Sequence, residues 1–505
     1  MSFSFKHRRS SVPWFGLGLV SLFLGSALLR FWGLERFNTL VFDEVYYANF
    51  ARGFLQGVQE FGGHPPLSTY LIAGGIWLGE HVPWGSGSPE NSMTGMMLST
   101  VSYRWFNALT GSLIPLVVAA IALQLTHRRS YALIAGGFSA LDGLFLVESR
   151  YALNNVYLVI FGLLGQWFFL MGLNAIAVRE AETQEAELPW LKRWQVPLCL
   201  ILSGVAFACS VAIKWNGLWF LLGAYGLWIA GWIVRRLNRW RPGILAVTQG
   251  RSPHPLEQLP QLTWRHMAFY LAWLPFTTYW LLWVPYMRLN PEHGFWYWQA
   301  RILDYHNRVG GMDAHPYCSP WYSWFFMWRP VGYFYRTSHS WTDPVPVVGP
   351  PLPQSAVRVV YDVHAIGNPF LWWFSTAAIA LLTGFLVHRL WTGLRRSHRS
   401  APLFNPATWT VLYLSVNWII SWLPWARVSR CTFLYHYMGA SVFSLLAIAL
   451  LVDRWLQSDR PWQRITGITV ILLIGLSFLF WLPLYLGLPL SNVAFRARLW
   501  FPSWI

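Results

Sequence analysis

The chain is expected to be an all-α integral membrane protein, with about eleven transmembrane helices and two long loops on the extracytoplasmic side. Three observations carry that expectation. Hydrophobic residues make up 55% of the 505 positions and charged residues 11%, with a mean hydropathy of +0.37; soluble domains carry about 25% charged residues. Apolar runs near the roughly 20 residues a helix needs to cross the hydrocarbon core recur along the whole chain. Short basic clusters separate alternate runs, as in cytoplasmic loops. The net charge of +17 is thus accounted for by topology and does not argue for nucleic acid.

The runs fall at 13–32, 102–125, 131–147, 152–175, 196–213, 217–234, 267–286, 368–389, 406–424, 434–452 and 466–486. The first is longer than the roughly 7–15 residues of a signal-peptide core, and Leu29-Arg30-Phe31-Trp32 offers no small-residue cleavage site, so it reads as a retained anchor. Basic clusters at Lys6 to Arg9, Arg128-Arg129, Arg235-Arg236, Arg395-Arg396 and Arg454 to Arg464 put the N-terminus inside and the C-terminus outside. The segments least firmly cut are 148–151 and 214–216. Leu67–Gly79 is too short to span and reads as an interfacial helix. Residues 176–195, with an acidic run from Glu180 to Glu187, and 235–265 read as solvated cytoplasmic connections. No repeat or separate soluble domain is visible, so 1–505 is read as one polytopic membrane domain.

Two long segments, 33–101 and 287–367, fall on the extracytoplasmic side. The first holds Asp43-Glu44 and His64-Pro65-Pro66-Leu67; the second holds Asp304-Tyr305-His306 and the stretch His315 to Trp324. A chain with only 20 Asp plus Glu that sets two adjacent carboxylates at a membrane boundary marks chemistry or an ion path there; the bland alternative is that they cap the next helix. Loops of this length serve a function more often than not. Polar and aromatic groups gathered at one face suit an interfacial enzyme better than a transporter with its site at the midplane. A transporter or flippase for a lipid-linked sugar remains the competing class. An inactive scaffolding subunit is a third, and predicts loss of the acidic pair, which is intact.

Taken in order, Phe42-Asp43-Glu44-Val45-Tyr46-Tyr47, His64-Pro65-Pro66-Leu67, Asp142 with Glu148-Ser149-Arg150, Lys214-Trp215, His315 to Trp324, Gly367-Asn368-Pro369 and Arg430 to Tyr437 resemble the protein O-mannosyltransferase family. The resemblance runs over nearly the whole chain. It implies the GT-C glycosyltransferase fold and inverting transfer of mannose, without a metal or other cofactor, from a polyprenyl-phosphate carrier to Ser or Thr hydroxyls of exported proteins in the plasma (inner) membrane. Two departures stand out. The second loop has about 80 residues, without the β-trefoil insert of eukaryotic members, and Asn154-Asn155 stands where the family often has an Asp. Related enzymes of the same fold move other lipid-linked sugars onto lipids or glycans.

An acceptor hydroxyl needs a carboxylate to take its proton. Asp43 is the expected base and Glu44 the residue that orients the acceptor or holds the backbone; the reverse assignment stays open. The leaving lipid phosphate needs charge neutralisation, for which Arg104, Arg150, Lys214 and Arg430 are the expected cations. Lys214 either snorkels or binds an anion. Arg150 either meets the phosphate or pairs with Glu148 or Asp142, and Arg104 alternatively anchors its span. His64, Tyr435 and His436 are expected substrate contacts, with His64-Pro65-Pro66 alternatively a rigid turn. His306 and His315 lack the close partners of a zinc site. Trp321 to Trp324 are expected at the interface. Cys318 and Cys431 pair only if the fold brings them together, and no disulfide is expected.

Overall fold

A computed structural model describes residues 13–58, 60–81, 97–182, 190–240, 255–340, 343, 345–348, 352, 358–395 and 403–504. The basic cluster Lys6 to Arg9 and most of the acidic run Glu180 to Glu187 lie outside the described residues.

The apolar runs become helices. α1 (Trp14–Phe31) leads to a short α2 (Glu44–Leu55) and α3 (Leu67–His81), the latter a helix over the stretch expected to be too short to span. α4 (Thr100–Thr126) follows. The run 131–147 is broken into α5 (Arg129–Ala140) and α6 (Gly143–Arg150), bent by 60°. Asp142 causes the break: its Oδ1 accepts the Phe145 N–H at 3.0 Å and starts a new helix. The Tyr485 ring and the Ile366 carbonyl occupy the space a Cβ on Gly143 would need, which fixes the site of the bend.

α7 (Asn155–Glu182), α8 (Trp190–Ile213) and α9 (Leu218–Trp240) are long and apolar. A short α10 (Pro255–Gln258) and α11 (Trp264–Ala268) precede a π-helical turn at Phe269–Trp273 and α12 (Leu274–Leu289). After α13 (Phe295–Arg308) come two strands, β1 (Val331–Ser338) and β2 (Val359–Ala365). The chain closes with α14 (Pro369–Arg395), α15 (Pro406–Trp422), α16 (Met438–Leu456), α17 (Pro461–Leu486), β3 (Leu490–Ser491) and α18 (Asn492–Arg496).

Among the described residues nine helices are long and apolar enough to cross a membrane, ten if the α5–α6 pair counts as one span. The remaining expected run, 406–424, gives the 17-residue α15, which ends in a 3₁₀ turn at Leu423–Arg427. The expectation of an all-helical chain needs one correction: β1, β2 and β3 form an antiparallel sheet in that order. Val331 to Ser338 and Val359 to Ala365 are rich in β-branched and aromatic residues, the ordinary signal for strands.

The two long loops are zipped together. Asn38 N–H donates to the Pro346 carbonyl at 2.9 Å, and Val348 N–H to the Arg36 carbonyl at 2.6 Å. Contrary to expectation, Cys318 and Cys431 form a disulfide, with Cα atoms 5.2 Å apart. Ser319 N–H donates to Thr432 O at 2.7 Å beside it, and Thr432 Oγ1 returns a bond to Ser319 O at 2.8 Å. The stretch expected at the interface is divided: Tyr322 is exposed, whereas Trp324 is fully buried and donates to Ser319 Oγ at 2.9 Å.

The first loop is organised by Arg104 and Glu44, both fully buried. Arg104 grips Glu44 through Nε–Oε1 at 2.9 Å and Nη2–Oε2 at 2.8 Å, and also donates to the carbonyls of Leu34, Phe37 and Thr39. Glu44 in turn accepts the N–H groups of Val41 and Ala152. Breaking such a pair strands one buried charge, at a cost of about 3–5 kcal/mol. Arg104→Met is therefore expected to lose most folded protein on detergent extraction, read by size exclusion and thermal unfolding. Asp43→Asn next door should keep the wild-type melting temperature; equal damage from both would contradict this division of labour.

Candidate active site

Phe42 carries a left-handed backbone (φ 52°), rare for a bulky residue and held only where surroundings enforce it. Its ring stacks on Tyr333 at 4.1 Å. The next residue, Asp43, precedes α2 but makes no capping bond, so the capping alternative fails for it. Glu44 is the partner buried in the ion pair. The adjacent carboxylates are thus separated in role: one is structural, the other partly exposed.

Burial pushes the Asp43 carboxyl up to about 6, against the charge of Lys214 in its neighbourhood, which opposes protonation. Lys214 does not snorkel. It is buried at the junction of α8 and a 3₁₀ turn (Trp215–Gly217), and its Nζ donates to Asn155 Oδ1 at 2.9 Å. The Tyr435 ring lies 5.4 Å from the same ammonium and 6.3 Å from the Phe42 ring. Asn155 Nδ2 donates to Glu148 Oε1 at 3.1 Å, and the Tyr333 hydroxyl donates to that same oxygen. Strand β1 shifts register between Gly332 and Phe334, leaving Tyr333 out of the pairing with β2, and such a bulge re-aims a side chain. The result is one buried row: Lys214, Asn155, Glu148 and Tyr333, with Asp43 at its edge.

Lys214 also opens onto a cavity of 590 Å³, lined among others by His64, Trp215, His306, Arg430 and His436. His64 and His306 face each other at 5.2 Å between ring centroids. Burial, then the nearby Lys214 and Arg430 charges, hold both imidazoles well below their ordinary value, His306 at about 4. They are neutral at physiological pH, which leaves each ring able both to donate and to accept a hydrogen bond. Among the described residues no group of three His, Cys, Asp or Glu is placed to hold a metal ion. Arg430, half-buried, donates through Nη1 to the Cys431 carbonyl at 2.9 Å, so the disulfide fixes the segment that bears it. His436 is held by the Phe433 N–H at 3.0 Å to its Nδ1 and lies 4.6 Å from the Trp425 ring.

The expected residues therefore divide. Asp43, His64, Lys214, Arg430, Tyr435 and His436 gather in and around one cavity. Arg104 and Arg150 do not reach it: Arg104 is committed to Glu44 and three carbonyls, and Arg150 to the carbonyls of Leu29, Arg30, Trp32 and Gly33. Neither alternative partner of Arg150 is used, since Asp142 caps α6 and accepts Trp372 Nε1 at 2.5 Å and Glu148 faces Tyr333. Sequence reasoning missed Tyr333, although the aromatic stretch around it carried a strand signal. It noticed Asn155 only as a departure from a pattern.

A helical membrane bundle that gathers an acid, two cations and neutral imidazoles beside its two long loops has the architecture of an integral-membrane glycosyltransferase of the GT-C fold. Residues 20–286 match the family described as dolichyl-phosphate-mannose-protein mannosyltransferase, and 291–504 the C-terminal four-transmembrane region of protein O-mannosyltransferase. The chain belongs to the protein O-mannosyltransferase family. It is 25% identical to polyprenol-phosphate-mannose–protein mannosyltransferase of Mycolicibacterium smegmatis over 92% of this chain and 88% of that one. It is 24% identical to the protein of the same name from Mycobacterium tuberculosis, over 97% and 92%. The Saccharomyces cerevisiae Pmt1-Pmt2 complex bound to its sugar donor shares the fold, with a TM-score of 0.63 at 14% identity over 97% of this chain and 92% of that chain.

The Tyr333 hydroxyl shields the buried Glu148. Tyr333→Phe is expected to lower stability by about 1–3 kcal/mol, read as a lower melting temperature in detergent. An unchanged melting temperature would show that the bond contributes nothing to the fold.

Proposed function

We propose that this chain transfers mannose from a polyprenyl-phosphate-mannose donor to Ser or Thr hydroxyls of exported proteins, at the extracytoplasmic face of the plasma membrane. The carrying observation is the placement of Asp43, an uncapped carboxylate, within the field of Lys214, which lines one cavity together with Arg430. The family to which the chain belongs and the names of its relatives supply the donor and the acceptor.

In this reading the acceptor hydroxyl oxygen attacks the mannose anomeric carbon from the side opposite the phosphate. The C–O bond to the phosphate breaks as the new one forms, inverting the configuration. The hydroxyl proton passes to Asp43, and the polyprenyl phosphate leaves with its charge met by Lys214 and Arg430. Neutral His64 donates or accepts a hydrogen bond to sugar or phosphate without adding charge, and the His436 ring lies against the same cavity. Tyr435 packs against Lys214 and the loop bearing Asp43.

Orientation is supported by the Cys318–Cys431 disulfide, because such bonds persist in oxidising compartments and are rare in the cytosol. The segment it ties down carries Arg430, so the cavity faces outward and the basic ends of α9 and α14 face inward. Protein alkylated before lysis and mapped without reductant is expected to yield the Cys318 and Cys431 peptides joined. Recovery of both as alkylated thiols would place this face in a reducing compartment and overturn the orientation.

Asp43 works as a base only when ionised. With its carboxyl raised to about 6 by burial, transfer in membranes is expected to fall as pH drops through 6, by about tenfold per unit below it. Asp43→Asn should cost about 10²–10⁴-fold with donor affinity kept. Lys214→Met and Arg430→Met should instead raise the donor KM. Transfer by Asp43→Asn at the wild-type rate would remove Asp43 as the base. No transfer of mannose by the wild type, with another lipid-linked sugar accepted, would move the chain to a different donor class.

A further inference from the structure

A second, larger cavity, of 1110 Å³, lies at the far end of α9. Trp219, near the start of that helix, lines the candidate active site. Arg235, Arg236 and Arg239 line the second cavity, and 16–20 residues of helix put them ~25–30 Å away, across the thickness of a bilayer core. Arg265 joins them from α11.

Among the described residues the arginines are uncompensated. No salt bridge among the described residues reaches any of the four. Residues 231–270 contain six arginines and a single acid, Glu257, which lies on α10 and does not line the cavity. The connection 241–254 contributes Arg241 and Arg251 and no carboxylate. Two of the guanidinium groups are held against indole faces, Arg235 at 5.2 Å from the Trp232 ring and Arg265 at 5.6 Å from the Trp264 ring, which restricts their freedom before any anion arrives.

The wall beside the charges is apolar and exposed: Ile229, Ile233 and Trp264 are each at least half exposed. Exposed Phe269 and Trp273 follow on the π-helical turn. A soluble anion has no use for such a wall, whereas a lipid has use for both halves. We propose that this groove is a binding site for one anionic phospholipid of the leaflet opposite the candidate active site, with the lipid phosphate on Arg235, Arg236, Arg239 and Arg265 and its acyl chains along α9 and the π-helical turn. A basic cluster at a membrane edge attracts anionic headgroups; the cavity and the indole-braced guanidiniums turn that diffuse attraction into a stoichiometric site.

The test uses the full chain purified in detergent, titrated with phosphatidylglycerol or phosphatidylcholine of identical acyl chains and read by native mass spectrometry. The wild type is expected to show one saturable phosphatidylglycerol adduct, favoured about tenfold or more over phosphatidylcholine. The variant Arg235→Gln/Arg236→Gln/Arg239→Gln/Arg265→Gln should lose that preference, while Arg460→Gln/Arg464→Gln at another basic loop keeps it. If the fourfold variant does not purify, Arg236→Gln/Arg265→Gln carries the same expectation with a smaller loss. Equal binding of the two lipids by the wild type would overturn the proposal. So would a preference that survives the fourfold change, or one lost equally in the control, which would reveal general positive charge. Polyprenyl phosphate displacing phosphatidylglycerol from these arginines at equal concentration would assign the groove to the donor's carrier instead.

Discussion

The buried pair of Arg104 and Glu44 is the constraint on which the site depends. Five donors of one guanidinium and two oxygens of one carboxylate gather the carbonyls of Leu34, Phe37 and Thr39 and the N–H groups of Val41 and Ala152. Those groups belong to the first loop and to the turn after α6. With both ends fixed, the chain between them has little choice, and Phe42 is held with its left-handed backbone. Asp43 is directed away from the pair by that turn. A buried ion pair is a poor source of net stability; here it sets geometry. Two neighbouring carboxylates thereby acquire opposite environments, one saturated with donors and one left without a hydrogen bond among the described residues.

A similar logic governs the cations. Arginine suits the task of collecting carbonyls because its planar fork carries five donors, and Arg104 and Arg150 are both spent that way. Lys214 is a compact charge with one hydrogen-bond partner among the described residues, Asn155, and so keeps donors for a ligand in the cavity. Arg430 stays half-buried, tied through the Cys431 carbonyl to a disulfide-braced loop. Neutral His64 and His306 add polarity without adding to the repulsion between those two cations.

Much of this was legible in the sequence, for identifiable reasons. Apolar length gave the spans, since the bilayer thickness leaves little freedom, and it failed where a polar residue intervened: Asp142 split one run by capping a new helix. The acidic pair of the first loop was visible because carboxylates are scarce here. The partition of the four cations was not, because pairing across 60 residues between Glu44 and Arg104 leaves no local trace. No strand was read in the second loop, although Val331 to Ser338 and Val359 to Ala365 are rich in β-branched and aromatic residues. Cys318 and Cys431 stand 113 residues apart, and only the meeting of the two segments reveals their bond.

Asn155 shows how one departure from a family pattern can be absorbed. A carboxylate 2.9 Å from Lys214 would largely neutralise the ammonium in so dry a setting. An amide holds the same ammonium by its carbonyl oxygen and leaves the charge intact. The amide also has donors of its own, and it spends one on Glu148, so the carboxylate in this row sits one residue further from the cation and under the Tyr333 hydroxyl. Glu148 is held by Asn155 and Tyr333 and makes no ion pair with Lys214 among the described residues. The ammonium is thus positioned by a neutral amide, which fixes its orientation at the edge of the cavity without quenching its charge.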